Sequence, residues 1–168
     1  NIRETESSKL KELMELLDTI DDEKIVIFSQ YRKMIELLEI TMSQKYPDRP
    51  CFVLVGGMNT SNQNKVMQGF ANTSKGFFLS TDAGAYGIEL QSASTLIHYD
   101  LHYNPAVVAQ REARVHRLGQ KKKVTIINML VGDLDKVEKR VIEILQKKTR
   151  LYKELFESDL DKPPTEED

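Results

Sequence analysis

The sequence contains a single cysteine and no long apolar run. One thiol, Cys51, can form neither a disulfide within the chain nor a zinc site built from several cysteines. No apolar stretch approaches the roughly 20 residues that a membrane-spanning helix requires, and the first residues, NIRETESSKL, lack the apolar core of a secretory signal. We therefore expect an intracellular protein. The first residue is Asn1 and not Met, and we expect the chain to be part of a longer protein.

Neither sign of charge dominates, because 24 Lys and Arg residues stand against 26 Asp and Glu residues. With 168 residues, of which 40% are hydrophobic, the chain suits one globular domain with a sizeable core. Only the last stretch, ESDLDKPPTEED, has the proline and acidic bias of a flexible tail. We expect a folded domain over 1–157 and a tail over 158–168.

Short apolar runs alternate with helical patterns along the chain. The first helical pattern has Ser7 or Ser8 as a candidate N-cap. The runs are too continuous for strands with one solvated face, so they predict buried parallel strands. The alternation predicts an α/β fold in three layers, α/β/α, with a mostly parallel central sheet whose strand ends carry the ligand sites. The predicted strands cover 24–30, 51–57, 76–81, 95–100 and 123–131, and the later helices cover about 31–45, 60–71, 104–117 and 134–157.

Positive charge is concentrated in residues 110–123, QREARVHRLGQKKK. Asn104 and Pro105 suit an N-cap and a first helical turn, which predicts that 110–117 is helical. Gln110, Arg114 and Arg117 then form one stripe at i, i+4 and i+7. Ala109 and Ala113 are expected to face the sheet, which leaves the stripe facing outward.

Two interpretations of this stripe follow from the residues alone. It is either a solvated helix face or a set of planar guanidinium groups that bind phosphate oxygens. An arginine that reaches into a neighbouring domain can stabilise transferred phosphoryl charge only when the two domains close. Lys121 and Lys122, which follow the stripe, are equally compatible with a basic linker that touches DNA and with a solvated turn.

The stripe matches Q-x-x-x-R-x-x-R, the sixth motif of superfamily-two helicases. The surrounding ARVHRLGQKK resembles the version carried by the Swi/Snf family of chromatin-remodelling and DNA-translocating ATPases. In order along the chain, KIVIFSQYRKMIELL resembles the fourth motif, LVGGMNTSNQNKVMQGF the following glycine turn and helix, and FFLSTDAGAYGIELQSASTLIHYDLHYNP the fifth motif. The resemblance spans about residues 8–157 and implies the C-terminal RecA-like lobe of such an enzyme.

The resemblance also implies roles for individual residues near a nucleotide. Arg117 would be an arginine finger, Arg114 its neighbour on the γ-phosphate, and Gln110 would orient this pair or the attacking water. Gly87 and Glu89 would lie near the ribose.

A second group of residues is expected to face nucleic acid. By resemblance Thr81 faces the nucleic acid. Ser29, Gln30, Gly57 and Ser80 lie at predicted strand ends, where backbone N–H groups and small polar side chains can approach a phosphate chain. A tight turn between strand and helix explains the presence of Gly57 equally well.

A phosphate loop of the form G-x-x-x-x-G-K-[ST] is missing from the sequence. We therefore expect ATP and Mg²⁺ to be held mainly by an N-terminal RecA-like lobe outside this chain, and the isolated chain to be inactive. The complete enzyme would be a DNA-dependent ATPase that translocates on double-stranded DNA and acts on nucleosomes or other DNA-bound proteins. It would work in the nucleus of a eukaryote or in the cytoplasm or nucleoid of a prokaryote.

Two alternatives stay open at this point. One is the C-terminal lobe of a superfamily-two helicase that separates DNA or RNA strands. The other is a non-enzymatic binding module of flavodoxin or receiver type, for which Asp82 and Asp100 are the acidic candidates at strand ends.

Overall fold

A computed structural model describes residues 2–20, 24–84 and 88–129. Within these ranges the helices and strands alternate as the sequence predicts. The predicted helix at 134–157, the end of the strand predicted at 123–131 and the tail at 158–168 lie outside the described residues. The elements are α1 (Ile2–Thr19), β1 (Lys24–Phe28), α2 (Arg32–Lys45), β2 (Cys51–Leu54), α3 (Thr60–Asn72), β3 (Gly76–Ser80), β4 (Thr95–His98), α4 (Pro105–Val115) and β5 (Thr125–Asn128).

The described strands form one sheet in the order β2-β3-β1-β4-β5, and all four pairings are parallel. In register, Phe28 at the end of β1 lies opposite Ser80 of β3 and His98 of β4. The carboxyl ends of these three strands therefore meet at one edge of the sheet. None of the helices in the described ranges is long and apolar enough to span a membrane.

Helices cover both faces of the sheet because alternate side chains of each strand point to opposite sides. On the first face, Ile25 and Ile27 of β1 pack in one apolar cluster with residues of α1 and α2. On the second face, Val26 and Phe28 pack in another cluster with Phe70 of α3 and Val115 of α4. The predicted three-layer α/β/α architecture with a parallel sheet is confirmed.

Two expectations about these elements are wrong. Helix α1 begins at Ile2, so Ser7 and Ser8 lie inside it and neither is its N-cap. Strand β5 is not buried, since most of its side chains are exposed and only Ile127 is half-buried. The reason is its position: in the described part of the sheet β5 is an edge strand, which pairs with β4 alone.

The chain leaves the neighbouring strands β1 and β4 toward opposite sides of the sheet. Helix α2 packs on the first face and leads to β2, while α4 packs on the second face and leads to β5. Where neighbouring parallel strands diverge in this way, a crevice opens beyond their carboxyl ends. The polar cluster around Arg111, described below, lies at this end of the sheet.

Candidate functional site

Helix α4 begins as the sequence predicts but ends early. Asn104 caps it, since its Oδ1 accepts a hydrogen bond from the backbone N–H of Ala106 at 3.0 Å, and Pro105 occupies the first turn. The helix ends at Val115 with His116 as its C-cap, so the prediction that Arg117 lies on the helix is wrong. Arg117 instead follows the helix in an exposed turn.

The side of α4 that faces the sheet also differs from the prediction. Ala109 and Ala113 are exposed, whereas Arg111 and Val115 are buried. Arg111 is buried because the fold supplies carboxylates for it, and an arginine rarely enters a protein interior without such partners. Gln110 is exposed and Arg114 is half-buried, so these two side chains of the stripe lie beside the buried face rather than opposite it.

Arg111 is held by groups from two strand ends and its side chain is only 2% exposed. Its Nε and Nη2 donate to the two carboxylate oxygens of Asp82 at 2.5 and 2.8 Å. Its Nη1 donates to the backbone carbonyl of Asp100 at 2.8 Å and lies 3.2 Å from Nδ1 of His98. The planar fork of an arginine suits such a two-sided contact, which an ammonium group could not reproduce.

The carboxylate of Asp100 completes this cluster. Ser29 Oγ donates to Asp100 Oδ2 at 2.5 Å, and the backbone N–H of Gln30 donates to Oδ1 at 2.9 Å. Nη2 of Arg111 lies 3.8 Å from the same Oδ1. The ends of β1 and β4 are thereby joined to α4.

His98 adds a second connection from β4 to α4. It is fully buried, and its Nε2 lies 3.3 Å from Glu112 Oε1. Because Arg111 donates to Nδ1, that nitrogen acts as the acceptor and Nε2 carries the proton toward Glu112.

The end of α4 is joined to the segment that precedes β4. Arg117 Nη2 pairs with Glu89 Oε1 at 2.9 Å, and the two side chains are 35% and 58% exposed. The backbone N–H of Leu90 donates to the carbonyl of Arg114 at 2.8 Å, and Arg114 Nη1 lies 3.5 Å from the carbonyl of Ile88. The structure thus brings together Glu89, Arg114 and Arg117, to which the resemblance gives roles at one nucleotide site. Gly87, the fourth of these residues, lies outside the described residues.

Hydrogen bonds of the Gln120 side chain hold the turn that carries Arg117. The Gln120 side chain donates to the carbonyl of Ala93 at 2.7 Å and to that of Val115 at 3.1 Å. Its Oε1 accepts from the backbone N–H of Lys122 at 3.0 Å. The side chains of Lys121 and Lys122 are exposed beyond this anchor.

The residues expected to face nucleic acid divide into buried and accessible groups. Ser29, Ser80 and Thr81 are buried. Their hydroxyl groups bond within the chain: Ser80 Oγ lies 2.8 Å from the carbonyl of Leu54, and Thr81 Oγ1 accepts from the backbone N–H of Gly84 at 3.3 Å. Gln30 is half-buried and Gly57 is exposed. These three hydroxyls therefore support the strand ends from inside in this structure.

Two glycines in the loops after the strands have distinct structural reasons. Gly57 has φ of +85°, a conformation that L side chains rarely adopt, so a turn requires glycine there. A Cβ at Gly84 would collide with the backbone carbonyl of Leu54. Close packing against the end of β2 thus accounts for Gly84.

The arrangement favours binding of anions over binding of cations. Asp82 and Asp100, the acidic candidates of the receiver hypothesis, both lie within ion-pair distance of Arg111, which compensates one of their two negative charges. In the part of the chain that the structure describes, no group of three or more His, Cys, Asp or Glu side chains could hold a metal ion. The accessible charged groups near the end of α4 are the guanidinium groups of Arg114 and Arg117, which match phosphate oxygens, and the carboxylate of Glu89.

Arg111 is the residue that reasoning from the sequence missed. A usable signal was present, because Asp82 and Asp100 follow strands that the alternation pattern already placed in one sheet. Two carboxylates at one buried edge require a cation, and Arg111 lies on the next helix of the chain.

Comparison with known proteins shows the family to which the chain belongs. The family described as Helicase conserved C-terminal domain matches residues 8–119. A putative SWI/SNF-related matrix-associated actin-dependent regulator of chromatin, subfamily A member 3-like 1, from Arabidopsis thaliana is 36% identical over 160 residues, which are 90% of this chain and 18% of that protein. The human chromatin-remodeling ATPase INO80 is 33% identical over 165 residues, which are 96% of this chain and 10% of that protein. The chain therefore spans less than a fifth of the length of these relatives.

A solved structure shows the same fold. The crystal structure of the C-terminal part of the Fun30 ATPase domain superposes with a TM-score of 0.73 at 28% identity, covering 82% of this chain and 44% of that one. The predicted RecA-like fold is confirmed, and so is the resemblance to the Swi/Snf family. The chain belongs to the helicase conserved C-terminal domain family, as a RecA-like lobe whose relatives are Swi/Snf-type ATPases.

Proposed function

We propose that this chain is the second motor lobe of an ATP-dependent translocase on double-stranded DNA, of the Swi/Snf chromatin-remodelling type. The observation that carries the proposal is the convergence of Arg114, Arg117 and Glu89 at the end of α4, in a family whose members include a chromatin-remodeling ATPase. Two guanidinium groups beside one carboxylate fit a triphosphate and a ribose hydroxyl.

Each residue at this end of α4 has a role in the proposal. Arg117 acts as the arginine finger, and Arg114 contacts the γ-phosphate beside it. Gln110 orients this pair or the attacking water. Gly87 and Glu89 lie near the ribose of the nucleotide. The pair between Arg117 and Glu89 is exposed and therefore weak, so Arg117 can exchange its carboxylate for a phosphate oxygen.

ATP and Mg²⁺ would be held mainly by an N-terminal RecA-like lobe of the same protein. This chain has no phosphate loop in its sequence. Bound ATP-Mg²⁺ supplies the phosphoryl group and most of the neutralising positive charge, and this chain adds guanidinium charge from the opposite side.

DNA is proposed to lie across the carboxyl edge of the sheet. Gln30 and Gly57 are accessible there and would contact the phosphate backbone. The exposed Lys121 and Lys122 precede β5, at the amino end of the sheet, and would contact the backbone from there. The buried hydroxyl groups of Ser29, Ser80 and Thr81 support the carboxyl edge through hydrogen bonds within the chain. A motor that moves along any sequence must bind phosphates and avoid reading bases. The whole protein would act on nucleosomes or other DNA-bound proteins, in the nucleus of a eukaryote or the cytoplasm or nucleoid of a prokaryote.

The test of this proposal is Arg117→Ala in the full-length protein that contains this chain. If Arg117 contacts the γ-phosphate, single-turnover ATP hydrolysis at saturating duplex DNA should fall by about 10³- to 10⁵-fold. Nucleotide affinity should change much less, because the lost contact belongs to the transition state. Arg117→Lys should restore little activity, since an ammonium group lacks the planar fork.

Lys75→Ala is the matched control. Lys75 is exposed and precedes β3, which lies two positions from β4 in the sheet order. Its loss should leave hydrolysis unchanged. Wild-type turnover in a folded Arg117→Ala protein would refute the role of Arg117 as an arginine finger. Separation of a forked duplex by the wild-type protein would favour a strand-separating helicase over a duplex translocase.

A further inference from the structure

Arg111 lies at the centre of a polar cluster that the proposed function does not use. Its side chain is 2% exposed and contacts groups at the ends of two strands. The bidentate contact is with Asp82, which follows β3 after one intervening residue. The third nitrogen contacts the carbonyl of Asp100 and the ring of His98, which ends β4.

Asp100 extends the cluster to β1. Its carboxylate accepts hydrogen bonds from the hydroxyl of Ser29 and from the backbone N–H of Gln30, the two residues that follow β1. Arg111 therefore connects α4 with the ends of β3 and β4 directly, and with the end of β1 through Asp100. These strand ends form the edge that is proposed to face DNA.

The other end of this connection is the proposed nucleotide site. Arg111 precedes Arg114 by three residues on α4, which places the two side chains about one helical turn apart. Because a helix is rigid over such a distance, a displacement of Arg111 moves Arg114 and the turn that carries Arg117.

Stability alone does not account for an arginine at this position. A buried ion pair costs desolvation free energy, and apolar residues of similar volume often replace such pairs without loss of stability. What the arginine provides is a fixed spacing between groups on separate elements, because its three nitrogens have fixed relative positions.

We infer that Arg111 is a positioning residue that couples the DNA-facing strand ends to the orientation of Arg114 and Arg117. This inference rests on the proposed function. When DNA shifts the loops after β1 and β3, the network of Asp82, Asp100 and Arg111 transmits the shift to α4 and aligns the two outer arginines with the phosphate.

Arg111→Lys in the full-length protein is the first test. Lysine keeps the charge but cannot contact Asp82 and the Asp100 carbonyl in the same geometry. We expect the ratio of ATP hydrolysis with saturating duplex DNA to hydrolysis without DNA to fall by roughly 3- to 30-fold, the range typical of residues that couple two sites. The affinity for ATP should stay close to the wild-type value.

Asp82→Asn is the second variant, and it tests the positioning role of Arg111 if Arg111→Lys does not fold. Asp82 is 24% exposed, so its substitution disturbs the interior less, yet it removes the charge from the bidentate contact. The same fall in the stimulation ratio is expected.

Arg49→Lys is the matched control. Arg49 packs over the ring of Phe77, with its Cζ 4.2 Å from the ring centroid, and it precedes β2 at the opposite edge of the sheet. It should lower the melting temperature while preserving the stimulation ratio.

The outcomes distinguish this inference from the proposed function. A wild-type stimulation ratio in folded Arg111→Lys or Asp82→Asn would overturn the positioning role and leave the proposed function intact. A wild-type protein whose ATP hydrolysis does not respond to duplex DNA would overturn both.

Discussion

Two arginines six positions apart on the chain have opposite environments. Arg111 is buried and bound to Asp82 through two nitrogens, whereas Arg117 is exposed and bound to Glu89 through one. An exposed pair contributes about 0 to 1 kcal/mol, because water and salt screen it. Removing one partner of a buried pair costs more, since the other charge stays desolvated. The first arginine therefore fixes geometry, and the second is available to a ligand.

This contrast gives a prediction at the scale of single residues. Glu89→Gln should change the free energy of unfolding of the chain by less than about 1 kcal/mol. Asp82→Asn should cost on the order of 2 to 3 kcal/mol, somewhat less than a full loss of a buried partner because the amide oxygen still accepts one hydrogen bond from Arg111. Urea unfolding of both variants checks this, and equal costs would contradict the assignment of Arg111 as the fixed arginine.

The same contrast shows how far the sequence predicts the site. The spacing of Gln110, Arg114 and Arg117 identifies the stripe from local information alone. The burial of Arg111 depends on Asp82 and Asp100, which are 29 and 11 positions away along the chain. Small residues such as Ala109 and Ala113 predict the buried face of a helix only when no larger side chain is buried by a partner that is distant in the sequence.

Among the elements, α2 and α3 were predicted within about a residue of their ends, because helical periodicity marks both and a side-chain cap also marks the start of α3. Asn59 caps α3 and accepts a hydrogen bond from Asn62. Helix α1 extends further toward the N-terminus than its predicted cap. Strand β5 has the composition of a buried strand but lies at the edge of the described sheet, and strand order is not encoded in any single segment.

The contact between α1 and α2 has a pH dependence that can be predicted. Asp18 near the end of α1 accepts hydrogen bonds from Lys45 Nζ at 2.8 Å and from the Tyr46 hydroxyl at 2.6 Å. Lys45 first, and then Tyr46, hold the pKa of the Asp18 carboxyl below its ordinary value. The pKa of Lys45 is raised mainly by the same hydrogen bond.

The signs of these two shifts define a window of pH. A lowered aspartate pKa stabilises the fold above its unfolded value of about 3.9, and this contribution disappears as the pH falls through the folded pKa. A raised lysine pKa stabilises the fold below its unfolded value of about 10.4, and this contribution disappears as the pH rises through the folded pKa. The tie between the two helices is therefore complete between these limits.

Asp18→Asn tests this window at the scale of the elements. The melting temperature of the variant should lie below that of the wild type at about pH 7, and the difference should shrink toward zero as the pH falls to about 2 to 3. Glu15→Gln, which alters an exposed carboxylate on the same helix, is the control. A difference between Asp18→Asn and wild type that persists in acid would show that packing, and not charge, joins these helices.

At the scale of the whole molecule, the parallel sheet determines where function is possible. All strand ends meet at one edge, and the divergence of β1 and β4 opens that edge to ligands. This carboxyl edge holds the cluster around Arg111 and the loops after β1, β2 and β3, whereas the end of α4, with Arg114 and Arg117, lies near the amino end of β4. The sequence predicts the parallel sheet and its carboxyl edge, because alternation of strands and helices permits few topologies, but it does not predict that the end of α4 lies near the amino end of β4.

The last prediction concerns the chain of 168 residues by itself. Its proposed contacts with ATP are two arginines that act on the transferred phosphoryl group and a contact of Gly87 and Glu89 with the ribose, so it should neither bind ATP tightly nor hydrolyse it. Titration calorimetry with ATP-Mg²⁺ should give almost no heat, and phosphate release should match buffer alone. The full-length protein, measured beside it, should bind and hydrolyse ATP. Micromolar affinity for ATP in the isolated chain would mean that it contains a complete nucleotide site, and the division of that site between two lobes would then be wrong.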